Sequence, residues 1–349
     1  MHARVMSRLK TKARRIYNRW RPGVIVLMYH RVADIRQDPG RISVPPARFS
    51  EHMEVVRRYA HPIAASDVAR AAAEHRLPRR GVAVTFDDGY VDNLANAKPV
   101  LERFDIPATV FVASGYCGQR REFWWEELRR LLLEPGRLPR TISLSPREGG
   151  LAWDLGRSEN YSLEDWDRCR LWEQGESNDP TARHGLCRRL YAILQVAHPA
   201  ERRALLDQVA AWAGVGVACR EENRPMTPEE LLTLTADGLV QVGSHTVSHS
   251  CLAALSQPEQ RQELRESKAQ LEAIVGHAVD TFSYPFGFPS SHYTEDTVRE
   301  VADAGYAVAF AGFLGVVRRG SDRLQLPRAV VRNWDGDEFA RHLEEWIAR

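Results

Sequence analysis

Short runs of apolar, β-branched and aromatic residues recur along the chain at residues 24–30 (VIVLMYH), 62–65, 81–87, 108–113 (ATVFVA), 239–244, 281–286, 306–311 and 325–331. Most are apolar throughout rather than alternating, the pattern of strands buried on both faces in a parallel sheet. Amphipathic helical segments with readable ends lie between them. Thr227-Pro228-Glu229-Glu230 is a capping box with proline at the first helical position, and its helix is expected to stop near Gly238. Ser256 with Glu259 opens another, whose Leu264, Leu271, Ile274 and Val275 form an apolar stripe before Gly276, and Phe49, Met53 and Val56 mark a third. About eight strands alternating with helices predict a parallel α/β fold, either a barrel or a doubly wound sheet.

One segment breaks the rhythm. Residues 116–226 separate two strand-like runs and are far longer than an ordinary connection. Helical patterns at 126–133, 186–194 and 199–212 and a strand-like TISLS predict an insertion with its own small core. It holds six of the nine tryptophans, including the adjacent pair Trp124 and Trp125. Aromatic faces stack on sugar rings, although core or lid packing is their commoner use.

Composition narrows the function classes. A net charge of +2 over 349 residues gives no overall nucleic-acid footprint. The five cysteines are odd in number, far apart and without a C-x-x-C pair, which argues against a disulfide framework or a cysteine zinc site and for a reducing compartment. Residues 1–22 contain no acid, and Val5, Leu9, Ile16, Tyr17 and Trp20 can share one helical face amid Arg and Lys. Such a segment is a solvated tail, a helix packed on the domain, or a peripheral contact with an anionic membrane through residues 1–20. It lacks the apolar core of a signal peptide, so a cytoplasmic location, possible at the inner membrane face, is the expectation. P-loop, G-x-G-x-x-G and G-x-S-x-G motifs are absent.

The chemistry concentrates in two stretches. In GVAVTFDDGYVDN (81–93) an apolar run ends in two adjacent carboxylates, Asp87 and Asp88, where burial of either is costly. In VQVGSHTVSHSCL (240–252) His245 and His249 stand four apart, so that on a helical turn both imidazoles leave one face. That spacing alone also suits unrelated packing residues. Both pairs, however, follow apolar strands, whose C-terminal ends converge in a parallel barrel. Two histidines and one carboxylate make a three-ligand metal site with a position left open, the catalytic arrangement, and leave the other aspartate free as a base.

TFDDGY, SHTVSH and SYPFG (283–287), in that order, resemble the polysaccharide deacetylases, carbohydrate esterase family four, with the nodulation-factor deacetylase homology domain. The resemblance covers residues 24–115 and 226–335. It implies an irregular (β/α) barrel of about seven strands, here occupying residues 23–349 and interrupted by the mainly helical 116–226 insertion. It also implies that Asp88, His245 and His249 hold zinc, or another divalent ion such as cobalt, with Asp87 as catalytic base. The backbone N–H near Phe286 would help hold the oxyanion, and Trp124, Trp125 and Tyr284 are candidate substrate contacts, although Tyr284, like Tyr29 and Tyr90, reads more readily as a wall or core residue. Ser283 stands where many members carry the arginine that orients the base, and Phe286 where they carry tyrosine. Arg328 in LPRAVV is the candidate substitute for that arginine.

The family's late histidine acid has no evident counterpart, since only His342 follows His292. VIVLMYHRV (24–32) is instead similar to the opening of the poly-N-acetylglucosamine deacetylases, whose acid-bearing strand is moved to the N-terminus. His30 is therefore the expected acid, with a pKa raised by the nearby aspartates. Asp92 and Asn93 are expected to line the site or to cap a helix. The implied reaction is removal of an N-acetyl group from an amino sugar of a surface polysaccharide, glycolipid or nucleotide- or lipid-linked precursor. Deformylation, hydrolysis of another amide, and a non-catalytic carbohydrate-binding barrel are the alternatives.

Overall fold

Eight parallel strands form one sheet where the apolar runs predict them: β1 (Val24–Tyr29), β2 (His61–Pro62), β3 (Gly81–Phe86), β4 (Ala108–Val112), β5 (Val240–Ser244), β6 (Thr281–Ser283), β7 (Val308–Phe310) and β8 (Ala329–Val330). The computed structural model describes residues 21–146, 149–175, 178–216 and 218–349, so residues 1–20 of the expected amphipathic segment lie outside the described residues. The strand order is β7-β6-β5-β4-β3-β1-β8, with β2 beside β3. In the centre, Val24 pairs with Gly81 through to Tyr29 with Phe86, and every residue of β1 and β3 is buried. That double-sided burial is why these runs show no alternation.

The two ends of the sheet approach one another through residues 326–330. Leu326 exchanges backbone hydrogen bonds with Ala309 (2.9 Å) and Ala311 (2.8 Å) beside β7, while Ala329 and Val330 pair with Leu27 and Met28 of β1. The sheet thereby curls into an irregular (β/α) barrel, and Arg328 is carried between its first and last strands.

Helices α1 (Pro46–Tyr59), α2 (Ala65–Ala73) and α3 (Lys98–Phe104) precede the insertion, which contributes α4 (Trp124–Leu133), α5 (Leu163–Cys169), α6 (Ala182–Val196) and α7 (Pro199–Ala213). After it come α8 (Pro228–Thr235), α9 (Gln257–Val275), α10 (Glu295–Asp303) and α11 (Gly336–Ile347). The predicted capping boxes at Thr227/Glu230 and Ser256/Glu259 are both formed. The insertion packs around its own cluster, including Trp124, Leu128, Leu132, Leu186, Leu190 and Leu206, into which the barrel sends Tyr90 and Ala113. TISLS becomes one arm of a hairpin, Thr141–Leu144 with Leu151–Asp154. Among the described residues no helix is long and apolar enough to cross a membrane.

Candidate active site

The acid pair sits where β3 runs out. Asp87 still extends the ladder, its N–H donating to Tyr29 O (3.0 Å). The chain then turns through Asp88 at φ +77° and Gly89 at φ +90°. A left-handed backbone at a non-glycine residue is costly and persists where the surroundings impose it, commonly at functional sites. The turn points the two carboxylates into different environments. Asp87 receives a bidentate pair from Arg328, Nη1 to Oδ1 at 2.6 Å and Nη2 to Oδ2 at 2.7 Å. Arg328 also donates to Ser283 Oγ (2.8 Å) and Ala311 O (3.1 Å), so the residue expected to be arginine and its replacement are in direct contact. Burial alone would raise the Asp87 pKa, but the Arg328 guanidinium overrides it and holds this carboxyl well below the usual range. Asp88 has no such cation, and burial pushes it up to about 6.

The histidine stretch is not the helical turn expected from its spacing. After β5 it forms an irregular loop with Thr246 at φ +64° and His249 at φ +52°. Its backbone is tied down on all sides, which lets a loop substitute for a helix. Thr246 O and Val247 O accept from the N–H groups of Ser114 (3.0 Å) and Gly115 (2.8 Å), while Glu263 of α9 accepts from the N–H groups of Val247 (2.8 Å) and Ser248 (2.9 Å). His245 Nδ1 lies 2.7 Å from Ser283 O. Donation there places the proton on Nδ1 and leaves Nε2 free as a ligand. Burial lowers the pKa of His245 to about 4 and of His249 to about 3, so both imidazoles are neutral.

Ligand atoms of Asp88, His245 and His249 all lie within 4.8 Å of one another. His249 Nε2 is 3.3 Å and His245 Nε2 3.7 Å from Asp88 Oδ1, and that buried oxygen accepts no hydrogen bond. A buried carboxylate oxygen facing two imidazole nitrogens, without a hydrogen bond of its own, is an arrangement that a shared cation would satisfy. This donor set fits a divalent ion of the zinc type.

The other expected residues divide. His30 directly follows β1, as Asp87 follows the β3 residue paired with Tyr29, and is half-buried, its imidazole feeling the charges of Asp88, Asp87 and Arg328. The expected upward pKa shift does not occur: burial lowers it and outweighs both aspartates. Phe286, at φ +62°, and Trp125 flank His249, their ring centroids 4.8 and 4.6 Å from its own. Trp124 turns into the insertion core against Tyr191 (4.8 Å). Tyr284 is not at the site. Its ring stacks on Tyr293 (3.9 Å) and its hydroxyl donates to Leu324 O (2.9 Å), within a separate apolar cluster. Asp92 and Asn93 neither cap a helix nor reach the ligands. Asp92 accepts from Val32 N and Arg31 Nε, both at 2.9 Å, and Asn93 Nδ2 donates to His30 O (2.8 Å), so together they clamp the exit of β1.

Sequence reasoning missed the layer behind these groups. Arg31 lies over the Tyr90 ring (4.4 Å) and reaches Asn223 Oδ1 (2.7 Å) near the end of the insertion. Tyr90 donates to Glu126 (3.0 Å) and accepts from Trp125 Nε1 (2.7 Å). The one available signal was a charged and polar set, Arg31, Asp92 and Asn93, directly after two strand ends.

The family model described as polysaccharide deacetylase matches residues 74–136 and 208–309, which include both motif loops and Phe286 but neither His30 nor Arg328. A relative from Bacillus subtilis (strain 168), YxkH, described as a candidate polysaccharide deacetylase, is 26% identical over 108 residues, 30% of this chain and 37% of the relative. The chain thus matches little more than a third of that relative's length. Among solved structures, Streptococcus pyogenes deacetylase PplD in complex with acetate superposes with a TM-score of 0.56 at 16% identity, over 93% of this chain and 99% of that one. IcaB from Ammonifex degensii does so with a TM-score of 0.57 at 18% identity, over 95% and 99%. At these identities the structural likeness is one of fold.

Proposed function

Because the chain belongs to the polysaccharide deacetylase family, we propose that it is a metal-dependent hydrolase that removes an N-acetyl group from an amino sugar in a surface polysaccharide, glycolipid or their nucleotide- or lipid-linked precursor. The observation that carries this reading is the convergence of Asp88, His245 and His249 on one point, beside an aspartate locked by arginine. Asp88, His245 and His249 would hold the ion. Zinc or cobalt bound there would supply Lewis acidity toward the acyl carbonyl and lower the pKa of water.

The chain's own residues account for the proton transfers. Asp87 has its pKa held below the usual carboxylate range and its orientation fixed by Arg328, so at neutral pH its free electron pairs are available to take the proton of the attacking water. The water oxygen bonds to the acyl carbon, and the Phe286 N–H supports the oxygen that gains charge. His30, across the strand ends from Asp87 and kept neutral by burial, would pass on to the sugar nitrogen the proton that Asp87 has taken from water, as the carbon–nitrogen bond breaks. Acetate and a free amine leave.

The test pairs elemental analysis of wild type and Asp88→Ala with acetate release from a panel of N-acetylated sugars. Near-stoichiometric zinc that vanishes in the variant, together with acetate, is expected. Metal without acetate but with formate would replace the acyl group in this reading. An absence of metal under metal-replete conditions would remove it in favour of a sugar-binding barrel.

A further inference from the structure

The two ligand histidines are held by different parts of the molecule. His245 is fixed from within the barrel, its Nδ1 hydrogen-bonded to Ser283 O at the end of β6. The corresponding atom of His249, Nδ1, is buried and finds no partner outside its own residue. A metal-binding imidazole ordinarily has its second nitrogen fixed by a hydrogen bond that sets ring orientation. At His249 that constraint is missing, and the neighbours that remain are rings and one guanidinium.

Two of those neighbours come from the insertion. Trp125, in the first turn of α4, sets its ring 4.6 Å from the His249 imidazole. The same indole donates from Nε1 to Tyr90 Oη at 2.7 Å, and Tyr90 stands two residues after Asp88. One side chain therefore touches the loop of one ligand and the ring of another. Arg202 of α7, buried and lying over the Trp124 ring (5.6 Å), donates to Ser248 O (2.5 Å) and His249 O (3.4 Å). These bonds take up the last two carbonyls of the histidine loop, at a residue whose positive φ needs outside support.

We infer that the insertion completes the metal centre, with Trp125 and Arg202 as the positioning residues of His249. This rests on the metal-dependent reading above and concerns a segment with no metal ligand of its own. The 116–226 insertion is on this view a working part of the site that sets how tightly the ion is held, and the barrel alone would present a well-oriented His245 and a loose His249.

The test measures zinc affinity by competition with a chromophoric chelator, with the visible spectrum of the cobalt-substituted protein as a second readout. Trp125→Ala is expected to weaken zinc about 10- to 100-fold, the range for loss of a ligand's supporting contact, and to alter the cobalt spectrum. Trp125→Phe keeps an aromatic face on the imidazole and should stay within a few-fold of wild type. Arg183→Met is the control: its guanidinium bonds carbonyls within the insertion, so its loss loosens the segment without touching the histidine loop. Its folded form should bind zinc as wild type does. Where Trp125→Ala does not fold, Arg202→Met carries the same expectation. Wild-type affinity in the tested variant, or a loss no larger than that of Arg183→Met, overturns the inference and leaves the metal reading standing. A wild type that takes no zinc overturns both.

Discussion

The barrel and the insertion each bury an arginine almost completely, and the two are satisfied in opposite ways. Arg328 of the barrel faces a carboxylate, giving Asp87 two short parallel hydrogen bonds. Arg183 of the insertion faces peptide oxygens, donating to Ser158 O, Gly136 O and Glu159 O, each at 2.7 Å, and to Leu132 O and Glu134 O at 3.3 and 3.2 Å. The barrel needs no such collector, because its strand ladders already pair the backbone. Among its described residues the insertion has only two short antiparallel pairs, so carbonyls at a helix end, a two-residue strand and a turn converge beyond the reach of a continuous ladder, and one guanidinium gathers five. Without a carboxylate beside it, burial lowers the Arg183 pKa to about 10. The contrast separates two uses of a buried charge: where a ladder carries the fold, the arginine is free to orient a reacting group, and where no ladder exists it becomes the fold.

The largest effects should come from the barrel's pair. Asp87→Asn removes the proton acceptor while keeping the shape, and it should lower kcat roughly 100- to 10,000-fold with metal content unchanged. Steady-state rates beside elemental analysis decide it, and activity near wild type would take the base role from Asp87. Arg328→Met leaves that carboxylate buried without its cation. Breaking a buried pair from one side costs about 3–5 kcal/mol, so urea unfolding should show a loss of that size along with lost turnover. A stable Arg328→Met protein with normal turnover would mean that the guanidinium neither orients nor supports Asp87.

These two residues also mark how far the sequence could be read. The strands were legible because most of their runs are apolar on both faces: seven fall within the expected stretches, and β2 (His61–Pro62) meets its expected 62–65 only at Pro62. Asp87, Asp88, His245 and His249 were legible because each pair follows a strand and strand ends converge. Arg328 was selected by the need for a cation beside Asp87, and no spacing announced that residues 326–330 would bring the first and last strands together. The histidine loop was misread as helical because H-x-x-x-H suits a helix, whereas Glu263, Ser114 and Gly115 tie it from distant elements. Tyr284 was misplaced for a related reason: strand alternation cannot say which face of a short three-residue strand looks into the barrel. Trp125 and Trp124 are adjacent in sequence, yet one reaches His249 and the other Tyr191, a division set by the direction of α4.

The insertion's arginine gives the next effect in size, and a different kind. Arg183→Met removes the three 2.7 Å bonds to Ser158 O, Gly136 O and Glu159 O at about 1 kcal/mol each, a destabilisation of about 3 kcal/mol, to which the two longer bonds add little. Turnover per folded molecule should stay at the wild-type value, because Arg183 touches none of the ligand-bearing loops. Unfolding curves beside rates corrected for folded fraction make the comparison. A fall in turnover per folded molecule as deep as that of Arg328→Met would erase the distinction between the two regions.

The smallest effect asks whether the two interiors are equally dry. Each buries one histidine away from the site: His52 of the barrel, bonded to Tyr29 Oη (3.2 Å) and Trp334 O (2.9 Å), and His184 of the insertion, bonded to Thr181 Oγ1 (2.8 Å). Burial lowers both pKa values to about 4. In the unfolded chain these groups titrate near 6.5. Above that pH both states are neutral and nothing is lost; between about 6.5 and 4 the unfolded chain takes up protons that the folded one refuses, so stability falls as the pH falls. At pH 5 the difference amounts to about 2 kcal/mol for each histidine. His184→Gln removes the insertion's share alone, because the site histidines and His52 titrate alike in both proteins and cancel in the difference. Urea unfolding at pH 7 and pH 5 should therefore show a shallower loss in His184→Gln than in wild type, by about 2 kcal/mol. If the two losses are equal, His184 accepts its proton without unfolding, and water reaches the insertion's core.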